Sequence, residues 1–395
     1  MPKTLDGIVV VDLTQNIAGP YCAQLMGDFG ADVIKVEKPG LGDDVRRYAP
    51  AWHGEAAAFL TFNRNKRSVC ADLKSTAGRD VVRRLVERAD VFIHSLRPGD
   101  DRIFGLDYEQ ISQLNPRLVY CSVSGFGEKG PYKDYPGYDP VAQAYTGMMT
   151  STGHPDSGPE RISIPLIDMG AGMWAFIGVL AAIHERVTSG RGAKVGTSLL
   201  EVGVQWMTLL VSNFLATGRL PERCGSASPI LAPYQAFKTA DGMVFIAGGN
   251  DRLYAKLCAV LGLDALVDDS RFVTNAARCA RREELAAIVE GATSSCRSDD
   301  LQAKLRAAGV PCGPINTVRD VVEDPQVAAL GLLRKIDGFR IPDFTMVDLP
   351  ITLDGDKADV RMGPPRLGEH TDEVLRWAGY SGGDIERLKR EKVIG

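Results

Sequence analysis

The chain has 395 residues, of which 45% are hydrophobic, and it carries a formal net charge of −4 with a pI near 5.8. This length and hydrophobic content are sufficient for two domains, or for one large α/β domain with an insert. The acidic balance argues against a nucleic-acid-binding protein, which would normally carry a surplus of basic residues.

The N-terminal half alternates β-branched runs with helical patterns, which is typical of a parallel sheet covered by helices. The runs 8–13 and 32–37 predict strands, and the pattern 21–29 between them predicts a helix. Further strands are predicted at 68–73, 91–94, 118–123 and 194–199, followed by a helix at 201–215. The sequence therefore predicts an α/β fold with a Rossmann-like, doubly wound parallel sheet. No G-x-G-x-x-G occupies the first turn, which disfavours a nicotinamide-binding enzyme.

Asp168 follows an apolar run and precedes small residues that open a long helical pattern. This placement predicts that Asp168 lies at the N-terminal end of a helix, where free N–H groups and partial positive charge accumulate. A carboxylate held there would stay ionised at neutral pH, as a nucleophile must. The alternative is that Asp168 only caps the helix. Upstream, Asp139 and Pro140 predict the start of another helix, with Asp139 as its N-cap.

The character of the sequence changes near Gly218. The segment 224–233 predicts a hinge or loop, and two short strands and three helical patterns follow it. We interpret residues 1–219 as the N-terminal part of a large domain, 220–320 as a smaller α+β domain, and 321–395 as a segment that returns to the large domain.

The cysteines and histidines show no spacing typical of a metal site or a disulfide framework. The eight cysteines include no C-x-x-C pair, and we interpret them as reduced core residues. The longest apolar run, 173–183, is shorter than the ~20 residues that a membrane span requires. A strand pattern already begins at Ile8, which leaves no room for a signal peptide. We therefore expect a cytoplasmic protein without a bound metal and without membrane association.

Basic side chains follow several of the predicted strands. They are Lys38, Arg46, Arg47, Arg64, Lys66, Arg67, Arg97 and Arg102. Ligands of open α/β sheets bind beyond the carboxyl ends of the strands, and phosphates there attract arginine and lysine. The recurrence of these cations indicates a ligand with several phosphates, although each residue alone is as compatible with a solvated surface charge.

Several motifs together resemble those of the family III coenzyme A transferases, also called the CaiB/BaiF family. They include Ala18-Gly-Pro, Gly30-Ala-Asp-Val-Ile-Lys-Val-Glu, Asn65-Lys-Arg-Ser, Arg97-Pro-Gly and Gly190-Arg-Gly-Ala-Lys-Val. The similarity runs from near residue 5 to Leu367-Gly-Glu-His-Thr371. It implies an enzyme that takes coenzyme A or an acyl-CoA as substrate, uses no metal and forms an interlocked homodimer.

In that family the carboxylate that matches Asp168 is the nucleophile. The resemblance implies that it attacks an acyl-CoA thioester, giving a mixed anhydride and then an aspartyl-CoA thioester, before the acceptor acid reverses these steps. The resemblance also assigns the coenzyme A contacts. They are Lys38 and Arg102 for phosphates, Leu73, Lys74 and Tyr138 for the nucleotide and pantetheine, and Ser95 where the family often has asparagine. Backbone N–H groups near Gly170, Gly248 or Gly249 are candidates for stabilising the oxyanion.

The segments 228–238 and 311–316 resemble the dicarboxylate branch of the family, which includes succinyl-CoA:hydroxymethylglutarate transferase. This similarity implies transfer of coenzyme A from an acyl-CoA such as succinyl-CoA to a dicarboxylic or related small carboxylic acid. Ile17 and Pro136 replace residues of formyl-CoA transferase, which argues against a formyl or oxalate specificity.

Two other functions stay open at this point. A 2-methylacyl-CoA racemase has the same fold and uses a histidine in a Gly-His-Asp motif, where this chain has Gly137-Tyr138-Asp139. An unperturbed tyrosine titrates at about 10 and a histidine at about 6.5, so Tyr138 would be a poor base at pH 7. The second alternative is a protein that binds acyl-CoA without catalysing a reaction.

Overall fold

The computed structural model describes residues 3–395, which form helices and four β-sheets. The strands are β1 (Val9–Leu13), β2 (Asp32–Glu37), β3 (Ala51–Trp52), β4 (Glu55–Ala56), β5 (Lys66–Cys70), β6 (Val91–His94), β7 (Val119–Ser124), β8 (Lys194–Ser198), β9 (Tyr234–Lys238), β10 (Met243–Ala247), β11 (Cys312–Pro314), β12 (Leu333–Lys335) and β13 (Thr345–Val347). The helices up to residue 217 are α1 (Ala18–Asp28), α2 (Ala57–Phe62), α3 (Thr76–Glu87), α4 (Asp100–Phe104), α5 (Tyr108–Leu114), α6 (Asp139–Tyr145), α7 (Met148–Ser151), α8 (Leu166–Ser189), α9 (Leu199–Trp206) and α10 (Thr208–Thr217). Those that follow are α11 (Asp251–Leu261), α12 (Asn275–Ala280), α13 (Arg282–Thr293), α14 (Ser298–Ala307), α15 (Val318–Glu323), α16 (Pro325–Ala329), α17 (Thr371–Trp377) and α18 (Gly382–Arg390).

The largest sheet has six strands in the order β5-β2-β1-β6-β7-β8, and every neighbouring pair is parallel. Numbered along the chain within this sheet, the order is 3-2-1-4-5-6, which is that of a Rossmann-like doubly wound sheet. The prediction of an α/β fold with a parallel central sheet is confirmed. The strand order reverses between β1 and β6, where Leu13 is in register with His94.

Three predicted elements differ from those observed by more than one residue, and one of them is the helix predicted at 21–29, which begins at Ala18. The strand predicted at 68–73 begins earlier, at Lys66, because an ion pair with Asp12 allows a lysine to occupy a fully buried strand position. The single helix predicted at 201–215 is two helices, α9 and α10, whose axes meet at 63°. The break falls at Met207, whose N–H still donates to the carbonyl oxygens of the preceding turn.

The chain forms two compact units. The larger unit contains the described residues up to Thr146, together with Ile162–Leu209 and Ala328–Gly395, and the smaller unit contains Gly147–Arg161 and Leu210–Val327. The domain limits predicted from the sequence, 1–219, 220–320 and 321–395, stay a prediction. The structure additionally places 147–161, the segment that precedes Asp168, with the smaller unit.

The C-terminal segment completes the core of the larger unit. Val374 and Leu375 of α17 are fully buried in the same hydrophobic cluster as Val81 and Leu85 of α3. Burial of each such side chain contributes roughly 1.5–3 kcal/mol relative to exposure. Hydrogen bonds support this packing, since the backbone N–H of Asp72 donates to the carbonyl oxygen of Val393 at 2.9 Å.

The smaller unit has a three-stranded antiparallel sheet, β11-β10-β9, packed with α11, α13 and α14. Arg278 is fully buried within this unit. Its guanidinium donates to the carbonyl oxygens of Ala232, Phe272 and Gly249 and to the carboxylate of Asp251. Five N–H donors in one planar group allow a single side chain to satisfy acceptors from several loops. Arg278 therefore joins α12 to three other segments of the smaller unit, at residues 232, 249–251 and 272.

Helix α8 has 24 residues and is long and apolar enough to cross a membrane by length and composition alone. The apolar stretch is longer than the predicted run 173–183, because the helix also includes the apolar residues before position 173. In the most apolar stretch of 18 residues in α8, 39% of the stretch is buried inside the protein. Since α8 also packs against α1, α9, β7 and β8, we interpret it as a core helix of the larger unit.

Candidate active site

Asp168 is the third residue of α8, whose N-cap is Pro165. The prediction that Asp168 lies at the start of a long helix is confirmed. Its side chain is half-buried, and no group among residues 3–395 donates a hydrogen bond to its carboxylate. A carboxylate in this position is available to react. The alternative interpretation, in which Asp168 only caps the helix, is wrong because another residue supplies the cap.

The cap of α8 is the carboxylate of Asp139. Its Oδ2 atom accepts hydrogen bonds from the backbone N–H groups of Ile167, at 2.8 Å, and Asp168, at 3.1 Å. The N–H groups of Leu166 and Met169 donate to backbone carbonyl oxygens just before them, at 2.8 and 2.9 Å. All four N–H groups of the first turn therefore have acceptors, and the prediction of free N–H groups at this helix end is wrong.

Asp139 is held in place by Gln143, one turn further along α6. The Gln143 Nε2 atom donates to Asp139 Oδ1 at 2.6 Å and to the carbonyl oxygen of Ile162 at 3.1 Å. The backbone N–H of Ile162 donates in return to Gln143 Oε1 at 2.9 Å. These bonds fasten α6 to the segment that leads into α8. The prediction that Asp139 is the N-cap of its own helix is wrong, since Tyr138 occupies that position.

The carboxyl group of Asp168 is only partly ionised near neutral pH. Burial, which disfavours the charged form, raises the pKa of Asp168 to about 7, and the negative charge of Asp139 acts in the same direction. The protonated and ionised forms therefore coexist at pH 7. The prediction of a fully ionised carboxylate is wrong because burial and the charge of Asp139 oppose ionisation, and two helix N–H groups that would favour it donate to Asp139 instead.

The glycines after Asp168 make room for neighbouring helices. A Cβ atom added at Gly172 would lie 2.6 Å from the carbonyl oxygen of Ala18, and one at Gly170 would lie 2.8 Å from Nε1 of Trp206. Such distances do not occur in real structures, so α8 approaches α1 and α9 closely only because these positions lack side chains. The small residues therefore serve the packing of α8 against α1 and α9.

One of the three glycines proposed for the oxyanion is already engaged. The N–H of Gly248 donates to the carbonyl oxygen of Pro233 at 3.0 Å. A donor committed to a backbone carbonyl is not free for a developing oxyanion, so the prediction is wrong for Gly248. For Gly170 and Gly249 it stays a prediction.

The six residues expected to contact coenzyme A all belong to the larger unit. Lys38 follows β2, Leu73 and Lys74 follow β5, Ser95 and Arg102 follow β6, and Tyr138 follows β7. Because the strands are parallel, their carboxyl ends lie at one edge of the sheet, where ligands of open α/β sheets bind. Lys38, Lys74, Arg102 and Tyr138 are exposed, while Leu73 packs partly against the core. Their role in coenzyme A binding stays a prediction.

Ser95 lies at the point where the strand order of the sheet reverses. Its Oγ atom accepts a hydrogen bond from the N–H of Gln15 at 3.1 Å, which joins the loops that follow β1 and β6. Tyr138 is positioned by a contact between backbones, since a Cβ atom on Gly125 would lie 2.8 Å from Cα of Gly137. The two glycines thus hold Tyr138 beside the loop that follows β7.

Five of the eight cations predicted to bind phosphates instead pair with carboxylates of the larger unit. The pairs are Arg46 with Glu37, Arg47 with Asp44, Arg64 with Asp28, Lys66 with Asp12 and Arg67 with Asp32. Arg64 and Lys66 are buried, so the interpretation as phosphate ligands is wrong for both. Lys38, Arg97 and Arg102 are exposed and form no ion pair within residues 3–395.

A third buried pair, Lys35 with Asp43, was not predicted from the sequence. The Lys35 Nζ atom lies 2.9 Å from Asp43 Oδ2 and 3.0 Å from the carbonyl oxygen of Thr14, and neither charged side chain is exposed. Asp43 Oδ1 accepts from the N–H of Asn16 at 3.1 Å. The pair therefore ties the loop that follows β1 to the loop that carries Lys38. The alternating charges of β2 were the only sequence signal for it.

The described residues include no group of three or more histidine, cysteine, aspartate or glutamate side chains that could hold a metal ion. The eight cysteines are free thiols. Burial raises the pKa of Cys121 to about 12, which keeps this thiol protonated. Asp168 is therefore the candidate nucleophile on which the geometry converges.

The family model described as CoA-transferase family III matches residues 5–371. The chain belongs to this family. It is 40% identical to the succinate–glutarate CoA-transferase of Agrobacterium fabrum over 94% of each chain. It is 34% identical to the succinyl-CoA:glutarate CoA-transferase of Homo sapiens over 95% of this chain and 86% of the human one.

Among solved structures, a CaiB/BaiF family protein from Brucella suis matches with a TM-score of 0.86 and 39% identity, over 96% of this chain and 100% of that one. The resemblance inferred from the motifs is confirmed. The chain is an enzyme, a family III CoA-transferase whose substrates are coenzyme A thioesters. Neither the racemase nor the non-catalytic carrier is supported by these matches.

Proposed function

We propose that this CoA-transferase moves coenzyme A from succinyl-CoA to a dicarboxylic acid of the glutarate type, with Asp168 as the nucleophile. The names of the relatives support the substrate class, since they include succinate–glutarate and succinyl-CoA–D-citramalate CoA-transferases. The observation that carries the assignment of Asp168 is its half-buried carboxylate, which lies at a helix start without a hydrogen-bond donor among the described residues.

The proposed reaction begins when a carboxylate oxygen of Asp168 attacks the thioester carbonyl of succinyl-CoA. A C–O bond forms, the C–S bond breaks, and coenzyme A leaves as a thiolate, which gives a mixed anhydride. The thiolate then attacks the aspartyl carbonyl carbon, a new C–S bond forms, and succinate leaves as a carboxylate. The acceptor carboxylate repeats the two steps in reverse and releases its own CoA thioester and free Asp168. Covalent catalysis divides one difficult transfer into easier steps.

The acceptor specificity is tested by supplying succinyl-CoA together with single candidate acids and identifying the CoA thioesters by mass spectrometry. Glutarate and its C6 dicarboxylic neighbour are expected to yield new thioesters, and monocarboxylic acids of equal length are expected to yield none. Formation of a monocarboxylic thioester at a comparable rate would contradict the proposed substrate class. Deuterium incorporation at C2 of a 2-methylacyl-CoA would instead identify a racemase.

We further propose that Lys38 and Arg102 bind the phosphates of coenzyme A and that Leu73, Lys74, Ser95 and Tyr138 contact the rest of the cofactor. Arg102→Met is expected to raise the KM for succinyl-CoA about 10-fold with little change in kcat, because a charge-assisted hydrogen bond contributes about 1.5–3 kcal/mol. Steady-state kinetics at fixed acceptor concentration measures both constants. Arg88→Met is the matched control, since Arg88 is an exposed cation at the C-cap of α3, ahead of the amino end of β6. An unchanged KM in Arg102→Met would contradict the assignment.

We also propose that the enzyme is a homodimer in which the second copy covers the outer face of α8. Met173, Trp174 and Ile177 of this face are 43–48% exposed. Contiguous exposed apolar side chains on a long helix are typical of an interaction surface. Sedimentation velocity is expected to show a dimer, and Ile177→Lys is expected to increase the monomer fraction. A monomeric mass for the unmodified chain would contradict this proposal.

A further inference from the structure

We infer that Asp139 is a positioning residue whose negative charge destabilises the free carboxylate of Asp168 relative to its acylated forms, and thereby favours the covalent intermediates. The inference rests on the proposed function, because it requires Asp168 to be the nucleophile. It assigns Asp139 a second effect besides capping α8. The inference follows from the hydrogen bonds that fix Asp139 beside Asp168.

Asp139 cannot move its charge away from Asp168. One oxygen accepts the N–H of Asp168 itself, at 3.1 Å, and the other accepts the amide of Gln143, at 2.6 Å. The side chain is only 5% exposed, so water screens its charge poorly. No lysine, arginine or histidine within residues 3–395 forms an ion pair with either carboxylate. A fixed negative charge, which accepts hydrogen bonds from N–H groups but pairs with no cation among the described residues, therefore lies beside the nucleophile.

The charged groups on the other elements packed against α8 are engaged elsewhere. Asp28 of α1 pairs with Arg64, Glu201 of α9 accepts from the hydroxyl of Ser198, and Lys194 of β8 pairs with Glu128. Within α8, Glu185 and Arg186 lie in the last two turns, and Arg186 pairs with Asp90. Burial raises the pKa of Asp168 to about 7, and Asp139 is the charged neighbour that adds to this effect.

The repulsion between the two carboxylates exists only while Asp168 is free. When its oxygen forms the C–O bond to the acyl carbon and the C–S bond breaks, the negative charge leaves on the thiolate sulfur. Residue 168 is then uncharged, first as an anhydride and later as a thioester. Only interactions that differ between the free and the reacting states change the rate. Asp139 opposes the free state and not the acylated ones, so acylation relieves the repulsion.

Asp139→Asn removes the charge but keeps the shape and one oxygen that can cap α8. We expect the acidic limb of the pH profile of kcat/KM, which reports the free enzyme, to move down by about one pH unit. We also expect the fraction of enzyme that hydroxylamine converts to the hydroxamate of residue 168, with release of succinate or coenzyme A during incubation with succinyl-CoA, to fall about 10-fold. Intact-protein and peptide mass spectrometry measure this fraction. If Asp139 only capped α8, Asp139→Asn would change neither the acidic limb nor the trapped fraction when equal amounts of folded enzyme are compared.

Gln143→Met is the matched control, because it breaks a hydrogen bond of Asp139 while leaving the charge in place. Its acidic limb is expected not to move down. If Asp168→Asn is inactive and Asp139→Asn keeps both the limb and the trapped fraction of the parent, the inference is overturned while the proposed function stands. If Asp168→Asn retains transfer, the proposed function itself fails. If Asp139→Asn does not fold, an infrared titration of the unmodified enzyme measures the pKa of Asp168 instead. A pKa below 5 also overturns the inference.

Discussion

Asp168→Asn is expected to lower kcat for CoA transfer by at least about 10³-fold, because an amide cannot act as the attacking carboxylate. The substitution removes no hydrogen bond formed by the side chain within residues 3–395, so the fold is expected to persist. Transfer of label between free acid and acyl-CoA measures the loss, and circular dichroism verifies folding. Glu185→Gln is the matched control, since it neutralises an exposed carboxylate in the last turns of the same helix.

The raised pKa of Asp168 has opposite consequences for rate and stability. Because attack requires the ionised form, kcat/KM is expected to rise with pH through about 7. A carboxyl group whose folded pKa lies above its unfolded value of about 3.9 binds more protons in the folded state between these values. Its contribution to stability is therefore fully present below pH 4 and lost as the pH rises towards 7. Asp168→Asn should consequently exceed the parent in Tm at pH 8 and match it near pH 4. A parent enzyme with pH-independent kcat/KM between 5 and 9 would contradict this account.

Lys66→Met is expected to destabilise the larger unit by about 3–5 kcal/mol, because it leaves the carboxylate of Asp12 buried without its ion-pair partner. Lys66 and Asp12 are both fully buried, with Nζ and Oδ2 3.0 Å apart. The Lys66 Nζ atom also donates to the carbonyl oxygen of Pro20 at 2.8 Å and to Asn63 Oδ1 at 2.9 Å. Urea unfolding measures the change. The folded fraction is expected to keep the parent KM for succinyl-CoA.

The double substitution Lys66→Met with Asp12→Asn is the control for this prediction. It removes both charges, so part of the lost stability is expected to return. The parent, the two single variants and the double variant form a double-mutant cycle, which measures the interaction energy of the pair. Comparison with Arg102→Met separates a buried cation at the amino end of β5 from an exposed cation that follows β6, since the first should change stability and the second KM. A stable Lys66→Met variant with a raised KM would restore the interpretation of Lys66 as a phosphate ligand.

The sheet was predictable because its strands are short, β-branched and buried on both faces, which produces continuous apolar runs between helical patterns. The strands at 32–37 and 91–94 coincide with β2 and β6 for this reason. Asp168 was also identifiable, since a lone carboxylate between an apolar run and a small-residue helix start is unusual. The position of a residue at the start of a helix depends on its neighbours along the chain, and these neighbours can be read from the sequence.

The electrostatic surroundings of Asp168 were not predictable, because they depend on a residue 29 positions earlier. Nothing local to Asp139 indicates that its carboxylate caps another helix. The same holds for Lys66, whose partner Asp12 lies 54 positions away on another strand. The available signal was Asp12 itself, a carboxylate within an apolar strand, which cannot be buried without a cation. Long-range pairing of this kind appears only once the strand order is known.

The composition of the larger unit from three separate stretches has a consequence for its biosynthesis. Val374 and Leu375 are buried in the same cluster as Val81 and Leu85, yet the ribosome reaches them only after it has made the whole of 210–327. The nascent larger unit must therefore expose apolar surface at β5 and α3 while the smaller unit is being translated. A need for chaperone protection during synthesis follows from this order of assembly.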